Sequence, residues 1–410
     1  MTRWSTAASL ALAMNLAASA AQADPMDLAL NRLSYFNNSP WSGGGVTYDP
    51  ARWQFRGGCG LADTANAGMG NGQAYAQCLP DNQLWANLVN ELGAALAPSI
   101  NTPAMTLGLA GVYVGYELGI TNLNRLSQYW ARGTEGSATS NVGTGTSSVR
   151  DRGDATALVS RLHVRKGLPF GFELGTQASY LHSSSLWAIG LDLRWSPFEG
   201  FRRGVGYIPD LAIRGAVNTV LGQSQLSLTI VDVDVSLSKR FTVGGSVRIT
   251  PILGAQMLFI FGDSGVIDLT PTRSAFAECP RQQVAYVPDA SSPSMLAGQL
   301  QCGAGGVLPS SGGRTIPGEL NDTRNNAVFA PMRIRRVRGF FGLQVQWQVL
   351  TFSAQVSADL AEPAFVSEPS ADAGRPVTTG AASATVQRAP LQLADYTQWT
   401  ANLAVGLTFR

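Results

Sequence analysis

From residue 105 to the C-terminus, apolar side chains recur at every second position over long stretches. Val112, Val114, Tyr116, Leu118 and Ile120 alternate with Gly111, Tyr113, Gly115, Glu117 and Gly119. Trp187, Ile189, Leu191, Leu193 and Trp195 alternate with Ala188, Gly190, Asp192 and Arg194. Trp399, Ala401, Leu403, Val405, Leu407 and Phe409 do the same against Thr400, Asn402, Ala404, Gly406 and Thr408. Successive strand side chains point to opposite faces, so each segment has one greasy face and one polar face. A soluble sandwich also alternates, but its strands average five or six residues, whereas these run to roughly 12–20. Aromatics mark the ends of the apolar faces, where a membrane barrel carries its girdles.

Ten such segments lie near 105–121, 155–166, 170–182, 185–196, 209–222, 226–239, 242–262, 331–347, 349–360 and 397–410. Twelve strands result if the stretch 263–330 hides a hairpin around Val284 to Val287. The longest connections, 122–154, 263–330 and 361–396, all follow odd-numbered strands. Membrane barrels have short periplasmic turns and longer external loops, so these three are expected outside, with both chain ends in the periplasm. The expected fold is all-β: a transmembrane antiparallel up-and-down barrel over 105–410. No predominantly apolar run of eighteen residues follows the N-terminal leader, which argues against membrane helices.

The leader itself reads as a secretory signal over 1–23: Arg3, an apolar core Leu10–Ala18, and an A-x-A site at Ala21-Gln22-Ala23. Residues 24–104 do not alternate. They hold one amphipathic helix at about 82–97, with Leu84, Trp85, Leu88, Val89, Leu92 and Leu96 at helical spacing until Pro98 stops it. A ten-stranded lumen is narrow, so this periplasmic segment is expected to dock at the barrel's base rather than enter it. Cys59 and Cys78, and Cys279 with Cys302, are an even set in an exported chain and read as two local disulfides. With His163 and His182 the only histidines, a zinc site has almost no ligands to use, and no cofactor is expected.

The chain resembles bacterial outer-membrane β-barrel proteins as a class, through its signal, its alternation and its terminal strand Trp399–Phe409. That resemblance implies insertion into outer-membrane lipid by the barrel-insertion machinery, which reads a terminal aromatic; here Phe409 is penultimate. The polar face would then line the lumen: Glu117, Arg161, His163, Arg165, Glu173, Asp192, Arg194, Arg214, Asp232, Asp234, Arg248, Arg336, Arg338 and Asp359. These charges form either a cross-strand salt-bridge network that fills the barrel or a pore whose arginines attract a small anionic solute. A net charge of +2, without a concentrated basic face, argues against nucleic acid. The expected function is a passive or gated channel for a small solute. The alternative is a closed, adhesin-like scaffold that meets surface partners through its long loops. A rim hydrolase is a minor third reading: His182-Ser183-Ser184-Ser185 and Asp263 lie at the external rim, yet neighbours within one turn seldom face each other as nucleophile and base.

Overall fold

A computed structural model describes residues 24–37, 77–135, 153–197, 209–269, 281–283, 300–302, 326–367, 369 and 391–409. Ten antiparallel strands form a closed ring: β1 (Val112–Asn122), β2 (Thr156–Gly167), β3 (Phe172–Leu181), β4 (Trp187–Trp195), β5 (Asp210–Leu221), β6 (Leu226–Ser238), β7 (Val247–Ser264), β8 (Met332–Trp347), β9 (Leu350–Asp359) and β10 (Trp399–Phe409). Each pairs with its chain neighbour, and β10 closes on β1 with Leu407 opposite Val114. The short ladder of Arg281–Gln283 with Leu300–Cys302 stands apart from the ring and adds no stave. The first strand begins at Val112, seven residues later than the alternation implied, because Gly108 turns the chain with φ +78°. The signal segment lies outside the described residues, as do Cys59 and Cys279, one partner of each proposed cysteine bridge.

The apolar set faces outward. Ile189, Leu191, Leu253, Phe341, Phe352, Val356 and Leu403 are each at least half exposed. Aromatics gather at both ends of this belt. At the long-connection end Tyr180 packs on Trp187, with ring centroids 4.7 Å apart. At the short-turn end Phe172 stacks on Trp195 at 6.0 Å, and Trp347 and Phe409 lie at the same end of their strands. The nine residues Trp187–Trp195, at ~3.3 Å each and tilted ~40°, project to roughly 20 Å, close to the apolar height of a bilayer barrel.

The interior is divided along its length. Near the long connections the inner wall is itself apolar (Val159, Leu181, Leu228, Ile230, Leu258, Ile260, Met332, Ile334), and it wraps helix α1 (Asn82–Ala95). Asp81 caps the helix, its carboxylate accepting from the amides of Gln83 and Leu84 at 3.1 Å each. Trp85, Leu88, Val89 and Leu92 are buried, worth roughly 1.5–3 kcal/mol each in area removed from water. Gly93 is needed for this approach: a Cβ there would stand 2.6 Å from Ile260 Cγ2. A second short helix, α2 (Gln128–Gly133), belongs to the first long connection and closes over α1. There the Glu91 carboxylate accepts from the Tyr129 hydroxyl, from Trp130 Nε1 at 2.6 Å and from the Asn124 amide at 3.1 Å. Burial pushes the Glu91 carboxyl above its usual range despite these donors.

This overturns the expected docking at the base. Residues 24–33 lie at the opposite, long-connection end, where the Met26 amide donates to Ser183 O at 2.7 Å and Leu28 bridges Thr134. After α1 the chain continues through the lumen as an extended thread, residues 96–107, and emerges at the short-turn end to begin β1. Of the described residues of the N-terminal segment, one helix and one extended thread occupy the lumen. The inner wall supplies the hydrogen-bond donors that such a thread requires.

Candidate functional site

The lumen beside the thread is the polar heart of the molecule. Register places opposite charges face to face: Glu117 opposite Arg161, Glu173 opposite Arg194, Arg214 opposite Asp234, Arg338 opposite Asp359. Arg161 Nη1 lies 2.8 Å from Glu117 Oε1. Arg214 holds both Asp232 at 2.6 Å and Asp234 at 2.5 Å. Arg194 pairs with Glu173, and Arg336 with Asp359, which also lies 3.7 Å from Arg338. Arg165 reaches Asp192 on β4 at 2.9 Å across the intervening strand. That reach requires Gly175 on β3, where a Cβ would meet Asp192 Oδ1 at 2.1 Å. Eleven of the fourteen expected lumen residues are buried in this cluster, and the half-buried Asp359 and His163 join it, His163 with Nε2 3.5 Å from Glu117. Arg248 stands apart, half-buried opposite Gln346, and makes no ion pair with a described residue.

The arginines serve a second purpose that the sequence did not reveal. Their spare N–H groups donate to main-chain carbonyls of helix and thread. Arg336 donates to Asn90 O at 3.2 Å, Arg161 to Ala95 O at 3.1 Å and Arg214 to Ser99 O at 2.7 Å. Arg194 binds the carbonyls of Pro103 and Met105. Asn218 and Gln256 donate to Leu96 O and Pro98 O at 3.0 and 3.2 Å. In return, Ser99 and Asn101 on the thread donate to Glu117. The ionic cluster is thus the mooring of the thread.

The other inner wall, on β8–β10, carries no charge along its lower half: Gln344, Gln346, Ser353, Gln355, Ser357, Asn402 and Thr408. Two small cavities lie between this wall and the thread. One, of about 30 Å³, is bounded by Thr102, Pro103, Gln344, Gln346 and Thr408, and by Arg165, Arg194 and Arg240. The other, of about 10 Å³, is bounded by Ala97, Pro98, Gln355, Ser357 and Asn402, and by Arg161 and Arg338. Spaces this size hold a water molecule or so and no solute. Ser353 Oγ and Gln355 Oε1 are buried without a hydrogen-bond partner among the described residues. A further space of about 10 Å³ lies on the charged side, beside Asn101, Glu117, His163 and Asp192. On that side Asn101 Oδ1, Arg161 Nε and Asp232 Oδ1 are likewise unpartnered among the described residues. The described residues therefore shut the lumen in this conformation, with small spaces on both sides of the thread.

The rim residues fall differently from their sequence order. Asp263 pairs with Arg333 at 3.0 Å. His182 does not meet the serines of its own turn; its Nε2 lies 2.6 Å from Ser160 Oγ on the neighbouring strand. A signal for Ser160 was present, since it is the one polar residue in the outward-facing run Leu158, Ser160, Leu162, Val164.

No protein-family model matches the chain, and no curated protein matches it. Among solved structures, a KdgM porin in complex with disordered oligogalacturonate aligns over 73% of this chain and 99% of its own, at 6% identity and a TM-score of 0.24. A second KdgM porin structure aligns over the same shares at 5% identity and the same score. A Pseudomonas aeruginosa FadL homologue aligns over 77% and 95%, at 10% identity and a TM-score of 0.17. Likenesses at this level leave the function to the chain's own geometry.

Proposed function

We propose that the protein is an outer-membrane barrel acting as a gated conduit for a small polar solute, with residues 96–107 as the gate. The exposed apolar belt and its two aromatic girdles support the membrane placement. The long connections are assigned to the outside, which puts Lys166 and Lys239 on the periplasmic side. One observation carries the gate: the shut lumen is polar, and small cavities and unpartnered polar groups lie between its walls and the thread. A lumen that must also hold water keeps such groups, whereas a permanent filling leaves buried polar atoms unsatisfied at a cost of ~1–3 kcal/mol each. The thread opens a path by moving off the uncharged wall while the arginines keep it moored. Because the arginines are bridged to carboxylates, any preference for anions depends on how far their field survives pairing.

The apolar packing around α1 favours a second reading, a closed scaffold working through its long loops. Planar-bilayer recording separates the two. The full-length protein should show discrete openings, and a reversal potential in a salt gradient should read the charge preference. Ala104 donates its amide to Ser238 Oγ at 2.9 Å, so a thiol crosslink between Ala104→Cys and Ser238→Cys should tether the gate and silence it until reduced. Silence with and without the tether supports the scaffold instead.

A further inference from the structure

Ser160, His182 and Tyr116 form a connected polar group on the outward face, most of whose side chains are apolar. Ser160 Oγ lies 2.6 Å from His182 Nε2 and 2.8 Å from the Tyr116 hydroxyl. In the productive polarity, Tyr116 donates to Ser160 and Ser160 donates to the imidazole. That is the arrangement of a nucleophile beside its base. The histidine is held from two sides. Its backbone N–H donates to Leu158 O at 2.9 Å, and its ring meets Tyr180 edge-on, centroids 5.4 Å apart at 68°. The level of the group matters equally. Ser160 is the ladder partner of Tyr180, which is the partner of Trp187, so all three share the row of the aromatic girdle. Girdle aromatics sit where lipid headgroups meet acyl chains, the depth of the ester linkages.

We propose that Ser160 and His182 are a serine–histidine dyad that cleaves fatty-acyl esters of the surrounding lipid, an activity independent of the conduit. Ser160 Oγ attacks the ester carbonyl carbon while its proton passes to His182 Nε2. The carbon–oxygen bond to the lipid alcohol breaks, and the imidazolium returns the proton to that oxygen, leaving an acyl-Ser160 and a lysolipid. Water then attacks the acyl-enzyme, giving its proton to His182, and the fatty acid leaves as Ser160 is restored. The Tyr116 hydroxyl is the donor placed for the tetrahedral oxygen. Tyr180 takes the orienting role that a carboxylate fills in a triad, so turnover is slow.

The test uses the full-length protein in two sets of vesicles, one of phosphatidylethanolamine and phosphatidylglycerol, the other also containing lipopolysaccharide. Equimolar fatty acid and lysolipid identify the phospholipid as the ester source, whereas release only in the second set identifies lipopolysaccharide. Ser160→Ala and His182→Ala should each lower release by ~10²–10⁴-fold, and a fluorophosphonate should label Ser160 in a His182-dependent manner. These positions face outward, and heat-modifiable migration checks that each variant is folded. A folded protein with no release and no adduct at Ser160 overturns the proposal. So does release that survives in Ser160→Ala.

Discussion

Replacing Arg214 with Met tests whether the ionic cluster is structural. The guanidinium is buried between Asp232 and Asp234, both also buried, and donates its third bond to Ser99 O. Methionine keeps much of the aliphatic stem but strands two carboxylates, two residues apart on one face of β6, with no counter-charge in contact. Removing one member of a buried pair costs about 3–5 kcal/mol, chiefly because the remaining charge is uncompensated. Urea unfolding in lipid vesicles, followed by tryptophan fluorescence, reads that loss directly. Adding Asp232→Asn and Asp234→Asn to the same chain should recover most of it, since the stranded charges are gone. A single variant within 1 kcal/mol of the parent would refute the reasoning, because the aspartates would then have to be solvated by water the shut lumen has no room for.

Gly175→Ala should displace Asp192 from Arg165 and cost roughly 3 kcal/mol in the same assay, although alanine is tolerated in most strands. Glu91 titrates with a raised pKa, so the folded state binds its proton more tightly than the unfolded chain does. Its contribution to stability is therefore complete below about pH 4.5, the ordinary glutamate range, and is lost as pH rises through the raised value. Glu91→Gln should flatten that part of a melting-temperature profile against pH. The closed ring of strands should make the unboiled protein migrate differently from the boiled one on a detergent gel; identical migration would contradict closure.

The barrel was legible because its physics is local. A period of two over Val112–Ile120 or Trp187–Trp195 declares a strand with a lipid face, and chain order then dictates pairing. The charge cluster was legible as a set but not as pairs, since that Arg165 reaches Asp192 as well as Glu173 depends on register and on the missing side chain of Gly175. The thread was illegible for a different reason. Residues 96–107 have no periodicity, and what holds them is their carbonyl groups, which every sequence possesses. Ser160 was visible only as a break in an apolar run, and its histidine comes from the turn that follows another strand.

The path of the thread has a consequence for how the molecule comes into being. Residues 82–107 precede every strand of the ring, yet the ring around them is completed by β10, its last strand, when it zips onto β1. The interior must be loaded before the circle shuts, as a cord is laid in a clasp before it is fastened. A permuted chain carrying 24–107 after Phe409 would have to enter a finished ring end-on, past an apolar upper bore and an ionic middle. Such a chain should close empty and fill late, if it fills at all.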